Sequence, residues 1–396
     1  MGISIKKSDF YRAIFMLIVV CDLYVGSFKL NIFLQLGVLV ACHVLEPVAF
    51  SKRISRHMAG LLLLLLIGFI GTIIHFHSLS AIFKDLFHFI KPLLGLVLGY
   101  TLFRRMGDIM MFARTIVITA VFTAMIHLLI ILLLTDFMSG RIEIIRLYTK
   151  DNFLEVIALF VLIWYPKFEG RELFVKKPYK WIFAVILLFS SFLYFSRTMI
   201  IIAGIVWLTI KGYTKITAKG LRAIAVVITA ISLFYVYLYN ANIRRGTQGL
   251  EGFLYKIKIV PEEIFTFNID RHNHADLWDH WRGYEAKRAF DLMKQYPSSY
   301  IIGTGHGSLV DLKFYAPLTG DRKGIRYISE LHNGYVYIFY KTGITGLLIY
   351  LFILLRWYAY VYKRHDLSTI LISAGGFIFL LSSIMITGIY NSKDII

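Results

Sequence analysis

The residues best able to do chemistry gather in one stretch, from Arg282 to Gly346. Arg282 and Arg288 come first, then the glycine-spaced run Gly303-Thr304-Gly305-His306-Gly307, then His332-Asn333, and last Gly343 and Gly346. A guanidinium is a planar fork that fits phosphate oxygens. Alternating glycines allow a tight turn whose backbone N–H groups can approach an anion closely. An imidazole suits the removal of a proton from a hydroxyl near neutral pH. A fourth residue, Arg197 in Phe195-Ser196-Arg197-Thr198, lies between two apolar runs and offers a further phosphate ligand.

Each of these has a plainer reading. Arg197 can snorkel to lipid headgroups, as arginines near helix ends do. Arg282 and Arg288 are six apart, so they do not stack on one helix, and with Glu285 and Lys287 they can form a solvated face. The glycine run is no nucleotide-binding fingerprint, because no βαβ unit surrounds it. It serves either as an anion cradle, with Gly303 and Gly305 as the close-approach positions, or as a loop folding tightly back on the membrane. His332-Asn333 is either a helix cap or a general base beside a substrate-contacting asparagine. The cluster Asp270–His280 has metal-ligand residue types, but its spacing matches no defined zinc site and no cysteine assists it. It reads as a solvated loop, so neither metal nor cofactor is expected. Lys91 and Lys341 lie in or near apolar helices, where a charge should face a cavity or a partner.

The elements that must position these residues are membrane helices. Of the 396 residues, 58% are hydrophobic, and apolar runs of about 20 residues recur, each long enough to cross about 30 Å of hydrocarbon. The alternating strands of a membrane barrel are absent. The runs predict helices at 10–27, 30–49, 58–75, 86–103, 109–135, 152–166, 181–195, 198–210, 223–239, 333–356 and 369–390. The net charge of +19 would suggest nucleic acid in a soluble chain. Here much of it sits in short loops, where it sets topology instead. Lys and Arg cluster at 6–12, 52–56, 104–105, 167–180, 211–222 and 356–364. With eleven helices these segments share one side, the cytoplasm by the positive-inside rule. That organises the chain as 1–239, nine transmembrane helices; 240–331, one large outer loop; and 332–396, the C-terminal transmembrane helices. Within the loop, 282–295 reads as helix and Tyr296-Pro297-Ser298-Ser299 as a turn. Cys21 and Cys42 fall inside apolar runs and read as small core residues, and the first apolar run reads as a permanent helix rather than a cleaved signal.

These residues carry a family resemblance. The chain resembles the O-antigen ligases, within the wider group that includes O-antigen polymerases. The ligase pattern is His, then Asn, Ser or Gln, nine residues, Gly, two residues, and Gly, Thr or Tyr. Here it is His332-Asn333, residues 334–342, Gly343, Ile344-Thr345 and Gly346. A shorter pattern, Arg followed by three residues and Leu, is met by Arg288 and Leu292. The resemblance covers 181–356 by motif and the whole chain by topology.

It implies an all-α polytopic membrane protein of about 11–12 transmembrane helices, GT-C-like, with one large periplasmic loop. It also implies a metal-independent, inverting glycosyltransferase in the bacterial inner membrane, its site facing the periplasm. The donor would be O-polysaccharide on undecaprenyl diphosphate and the acceptor a sugar hydroxyl of lipid A–core; no nucleic acid takes part. Carried over by position, His332 would be the base, with Arg197 and Arg282 the diphosphate ligands and Arg288 a third. A polymerase, the nearest alternative, usually has two sizeable periplasmic loops, often with an arginine followed by glycine eleven residues on. Only one loop is large here, and no arginine in the outer loops has that glycine. A transporter of lipid-linked sugars commonly shows internal hydropathy repeats, and none is evident.

Overall fold

The computed structural model describes residues 6–135, 142–150, 152–266, 268–318 and 324–391. Five helices come first: α1 (Lys7–Tyr24), α2 (Phe28–Leu45), α3 (Lys52–His75), α4 (Leu79–Met106) and α5 (Ile109–Leu134). A short α6 (Ile142–Tyr148) precedes α7 (Phe153–Glu169), α8 (Lys177–Leu193), α9 (Arg197–Ile210) and α10 (Ala218–Asn240). The large loop holds α11 (Gly249–Lys258), α12 (Val260–Phe265), α13 (His274–Asp279), α14 (Trp281–Gln295) and α15 (Ser299–Ile302). A hairpin of β1 (Val310–Ala316) and β2 (Ile325–Ile328) follows, then α16 (Gly334–Tyr358) and α17 (Leu367–Ser382).

All eleven expected apolar runs form helices. Among the described residues six helices are long and apolar enough to cross a bilayer: α2, α3, α4, α5, α10 and the stretch from Gly334 to Tyr362. Their outward faces remain apolar. In α10 only 6% of the apolar window is buried, which leaves its surround to lipid. The chain is an all-α polytopic membrane protein, with one small antiparallel hairpin among the described residues. Local chemistry sets the helix ends. Asp108, Asn152 and Asp366 cap α5, α7 and α17 through their side chains, and α4 stops at Gly107 in the left-handed region, just after Arg104 and Arg105.

Three features differ from the sequence expectation. First, α4 begins seven residues early, because Lys84, Asp85 and His88 lower the hydropathy of its first turns without breaking the helix. Second, the last helix stops at Ser382 rather than running to 390; the chain then turns through Gly388, at φ 65°. Its Ser383 and Ile386 carbonyls accept the Gly334 N–H at 2.7 and 3.0 Å, tying this return segment to the start of α16. Third, the large loop contains a β-hairpin beyond the helix and turn expected there. It pairs Val310 with Ile328 and Asp311 with Tyr327, and Arg326 forks onto Asp311 at 2.9 and 3.0 Å.

Gly343 interrupts α16 at φ 67°, ψ −170°, and a Cβ there would collide with the Ile301 carbonyl. The kink seats α15 against α16, and α15 leads directly into the glycine run. Gly343 therefore serves a backbone conformation that side-chain-bearing residues rarely adopt.

Candidate functional site

Helix α14 and the two residues before α16 build the first half of the site. Glu285 is 1% exposed, yet its carboxylate meets His332 three times. Oε2 accepts the His332 backbone N–H at 2.9 Å, and Nδ1 lies 3.0 and 3.1 Å from the two oxygens. A proton on Nδ1 donates to the carboxylate, which directs the other ring nitrogen, Nε2, outward. The ring is half exposed, with 51% of its side chain accessible. The hydrogen bond donated to Glu285 raises the imidazole above its ordinary value, outweighing the opposing effects of burial and of Arg282. A buried carboxylate on Nδ1 of a half-exposed imidazole can fix the tautomer and orientation of a base, leaving Nε2 without that partner.

The second half is an arginine pair. Arg197 opens α9, and Arg282 lies one turn before Glu285 on α14. Glu263 of α12 stands between them. Its Oε1 accepts from Nη1 of Arg282, and its Oε2 lies 3.5 Å from Nη1 of Arg197. Arg282 also donates Nε to the Met385 carbonyl at 2.7 Å, and Arg197 donates Nη1 to the Lys256 carbonyl. Burial, then Arg197, pushes the Arg282 guanidinium down to about 10, with Glu285 opposing. Burial also lowers Lys256; Arg146 adds to that, Glu143 opposes it and Arg197 adds again. Arg146, Arg197, Lys256 and Arg282 therefore form one cationic field, with Glu143 and Glu263 as its internal anions.

The halves meet on α14. Arg282 and Glu285 are three apart and share a helix face, and Arg282 is among the charges acting on His332. Beside them, a cavity of about 570 Å³ opens between the ends of α1, α2, α7 and α9. Thr198 and Met199 line it, next to Arg197, as does Ile386, next to the Met385 that anchors Arg282. Asn31, Lys150 and Asn391 supply polar walls, and Phe28 and Phe153 apolar ones. The segment 383–391 completes this side, since Thr387 donates to the Leu331 carbonyl at 3.0 Å, one residue before His332.

The other sequence candidates lie in different settings. Arg288 donates to the Asp311 carbonyl at 2.9 Å and to Asp291 at 2.8 Å, tying α14 to the hairpin. Asn333 is the N-cap of α16, accepting the Val336 N–H at 3.1 Å. The glycine run wedges between α3 and α16. Its amides at Thr304, Gly305, His306 and Gly307 are satisfied by Tyr340 O, Lys341 O, Gly68 O and Asp85 Oδ2. A Cβ on Gly303 would strike Lys341 backbone, and one on Gly305 would strike Thr72 backbone. The turn is thus folded back on the membrane helices with these N–H groups already partnered, and Gly303 and Gly305 contact α3 and α16. Lys341 is fully buried and paired with Asp85, also donating to the Ser308 carbonyl at 2.7 Å. Lys91 donates to the Asn391 carbonyl at 2.8 Å.

Around Asp270–His280, Asp276 accepts from the Asp270 N–H at 2.7 Å and pairs with His280 at 2.7 Å. Among the described residues no group of three or more His, Cys, Asp or Glu is placed to hold a metal ion. Two carboxylates escaped the sequence reading. Glu285 reads in the sequence as part of a possible solvated face, with no link to His332, yet it is buried; its spacing of three from Arg282 was the available signal. Glu263 had none, since it follows the equally acidic Glu262 in a short loop helix.

The family model described as O-antigen ligase matches residues 182–351. That span takes in Arg197, the large loop, His332 and the kink of α16. No curated protein and no solved structure matches the chain.

Proposed function

Because residues 182–351 match the family model described as O-antigen ligase, we propose that the chain joins a lipid-linked polysaccharide to lipid A–core. The donor is O-polysaccharide on undecaprenyl diphosphate, and the acceptor is a core sugar hydroxyl. The observation that carries this reading is the convergence on α14 of an arginine pair and an oriented histidine. His332 Nε2 takes the acceptor proton as the hydroxyl oxygen bonds to the anomeric carbon. The bond from that carbon to the phosphate oxygen breaks, and the diphosphate leaves with the electron pair. Arg197 and Arg282 stabilise the charge that builds on it, more in the transition state than in the ground state. Attack opposite the leaving group inverts the anomeric centre. The guanidiniums supply the positive charge that a metal ion would otherwise bring, so the reaction is metal-independent. Arg288, Gly303, Gly305 and Asn333 support the site from behind, as hairpin tie, turn and cap.

The distribution of Lys and Arg supports placing the large loop, and hence the site, on the periplasmic face of the bacterial inner membrane. Donor and acceptor meet in that leaflet. Deletion of the gene followed by lipopolysaccharide gel analysis tests the reading. Loss of every O-chain band with accumulation of lipid-linked polymer is the expected result. A core bearing a single capped repeat would instead identify a polymerase.

A further inference from the structure

Glu262 and Glu263 are adjacent carboxylates with opposite surroundings. The Glu262 side chain is 51% exposed and accepts from the Tyr239 hydroxyl at 3.2 Å, whereas the Glu263 side chain is only 11% exposed and sits between two arginines. The Oε2 of Glu263 takes no hydrogen bond among the described residues and is directed at Arg197. A buried carboxylate is costly unless paired, and the two partly buried guanidiniums repel one another. Glu263 resolves both costs by standing where a bound anion would stand.

Resting on the reading of Arg197 and Arg282 as diphosphate ligands, we propose that Glu263 is an internal competitor for the arginine pair. It holds both arginines in place while the site is empty and promotes departure of the spent lipid diphosphate after transfer. The need follows from the chemistry. When the glycosidic bond to phosphate breaks, the leaving diphosphate gains an ionisable oxygen that the sugar-linked donor lacks. The product is the more negative ligand and binds the guanidiniums more tightly than the donor does. A site built only of cations would be trapped by its own product. A tethered carboxylate, at high effective concentration, reclaims the arginines and limits that trapping. Each ligand in turn displaces the Glu263 side chain by rotation, with α12 as its mount.

The test measures binding of undecaprenyl diphosphate to purified full-length protein in nanodiscs, together with turnover. Glu263→Gln keeps the shape and removes the charge. It is expected to bind undecaprenyl diphosphate about tenfold more tightly, the loss of one charge-assisted competitor. Its first turnover proceeds, later turnovers slow, and added undecaprenyl diphosphate inhibits it more strongly than wild type. Unchanged or weaker binding, or unchanged product inhibition, overturns the proposal. Arg197→Ala and Arg282→Ala run alongside: if both bind undecaprenyl diphosphate as wild type does, the underlying reading of the arginine pair fails instead. A measurement on the unaltered protein guards against a variant that does not fold. Undecaprenyl diphosphate should speed amide hydrogen exchange across residues 260–266 as Glu263 is released, and slower or unchanged exchange there contradicts displacement.

Discussion

Replacing Glu285 by glutamine tests the oriented base with one atom changed. Glutamate uses both oxygens on His332, one on the backbone N–H and both near Nδ1. Glutamine has a single acceptor oxygen, so its amide must present a donor to a donor. Hydrogen bonds to charged groups contribute about 1.5–3 kcal/mol. Because the ring is half exposed, solvent screening favours the low end, about 1.5 kcal/mol, which is roughly one pH unit. The sign follows from which form works. Glu285 favours the imidazolium, so in the wild type the working neutral ring is lost as pH falls through a raised value. In Glu285→Gln that loss moves to lower pH by about one unit. The plateau rate falls as well, by up to about 10²-fold, because the ring is no longer aimed. Stability gives a second sign check. A raised histidine stabilises the fold at low pH and loses that contribution as pH rises through its folded value. The variant is therefore more destabilised relative to wild type at acid pH than at alkaline pH. The assay is ligation rate against pH with purified donor and acceptor. An acidic limb that stays in place, or moves upward, refutes the dyad.

Other expectations follow from the same geometry. Arg197→Ala or Arg282→Ala should abolish or strongly reduce ligation while the protein still reaches the membrane, and lysine should rescue poorly because it lacks the planar fork. Full activity in both alanine variants would remove the pair from the mechanism. Activity should persist in chelator, and a loss restored by one divalent ion would show that the chain uses a metal. Lys341→Met should lower stability by about 3–5 kcal/mol, because it strands Asp85 in a buried setting. Adding Asp85→Asn should recover part of that in thermal unfolding, and no recovery would show that the pair is not the cause.

How much of this was legible in the sequence depends on which force does the placing. Lipid demands long apolar runs, so the eleven apolar helices could be read directly, down to the short α9. His332, Arg197 and Arg282 were drawn out by the family resemblance, because alone each also reads as a helix cap, a snorkelling arginine or part of a solvated face. Glu285 did not, because a carboxylate on an amphipathic helix looks solvated until its partner, 47 residues on, is folded against it. The glycine run was ambiguous for a related reason: positive φ serves anion binding and close packing alike, and only the partners of its amides distinguish the two. The return segment 383–391 was hidden inside an apolar run. Its break at Ser382 depends on carbonyls that turn to meet Gly334 rather than on any charged residue.

On the proposed mechanism, His332 deprotonates an acceptor sugar whose partner is held as a lipid diphosphate. This is tested most directly by His332→Gln in a purified assay with undecaprenyl-diphosphate-linked polysaccharide and lipid A–core. General-base catalysis is typically worth about 10²–10⁴-fold. The variant is expected to bind donor as wild type does and to lose ligation by at least that lower factor, with Asn333→Ala doing less harm. Ligation by His332→Gln at the wild-type rate would contradict this mechanism.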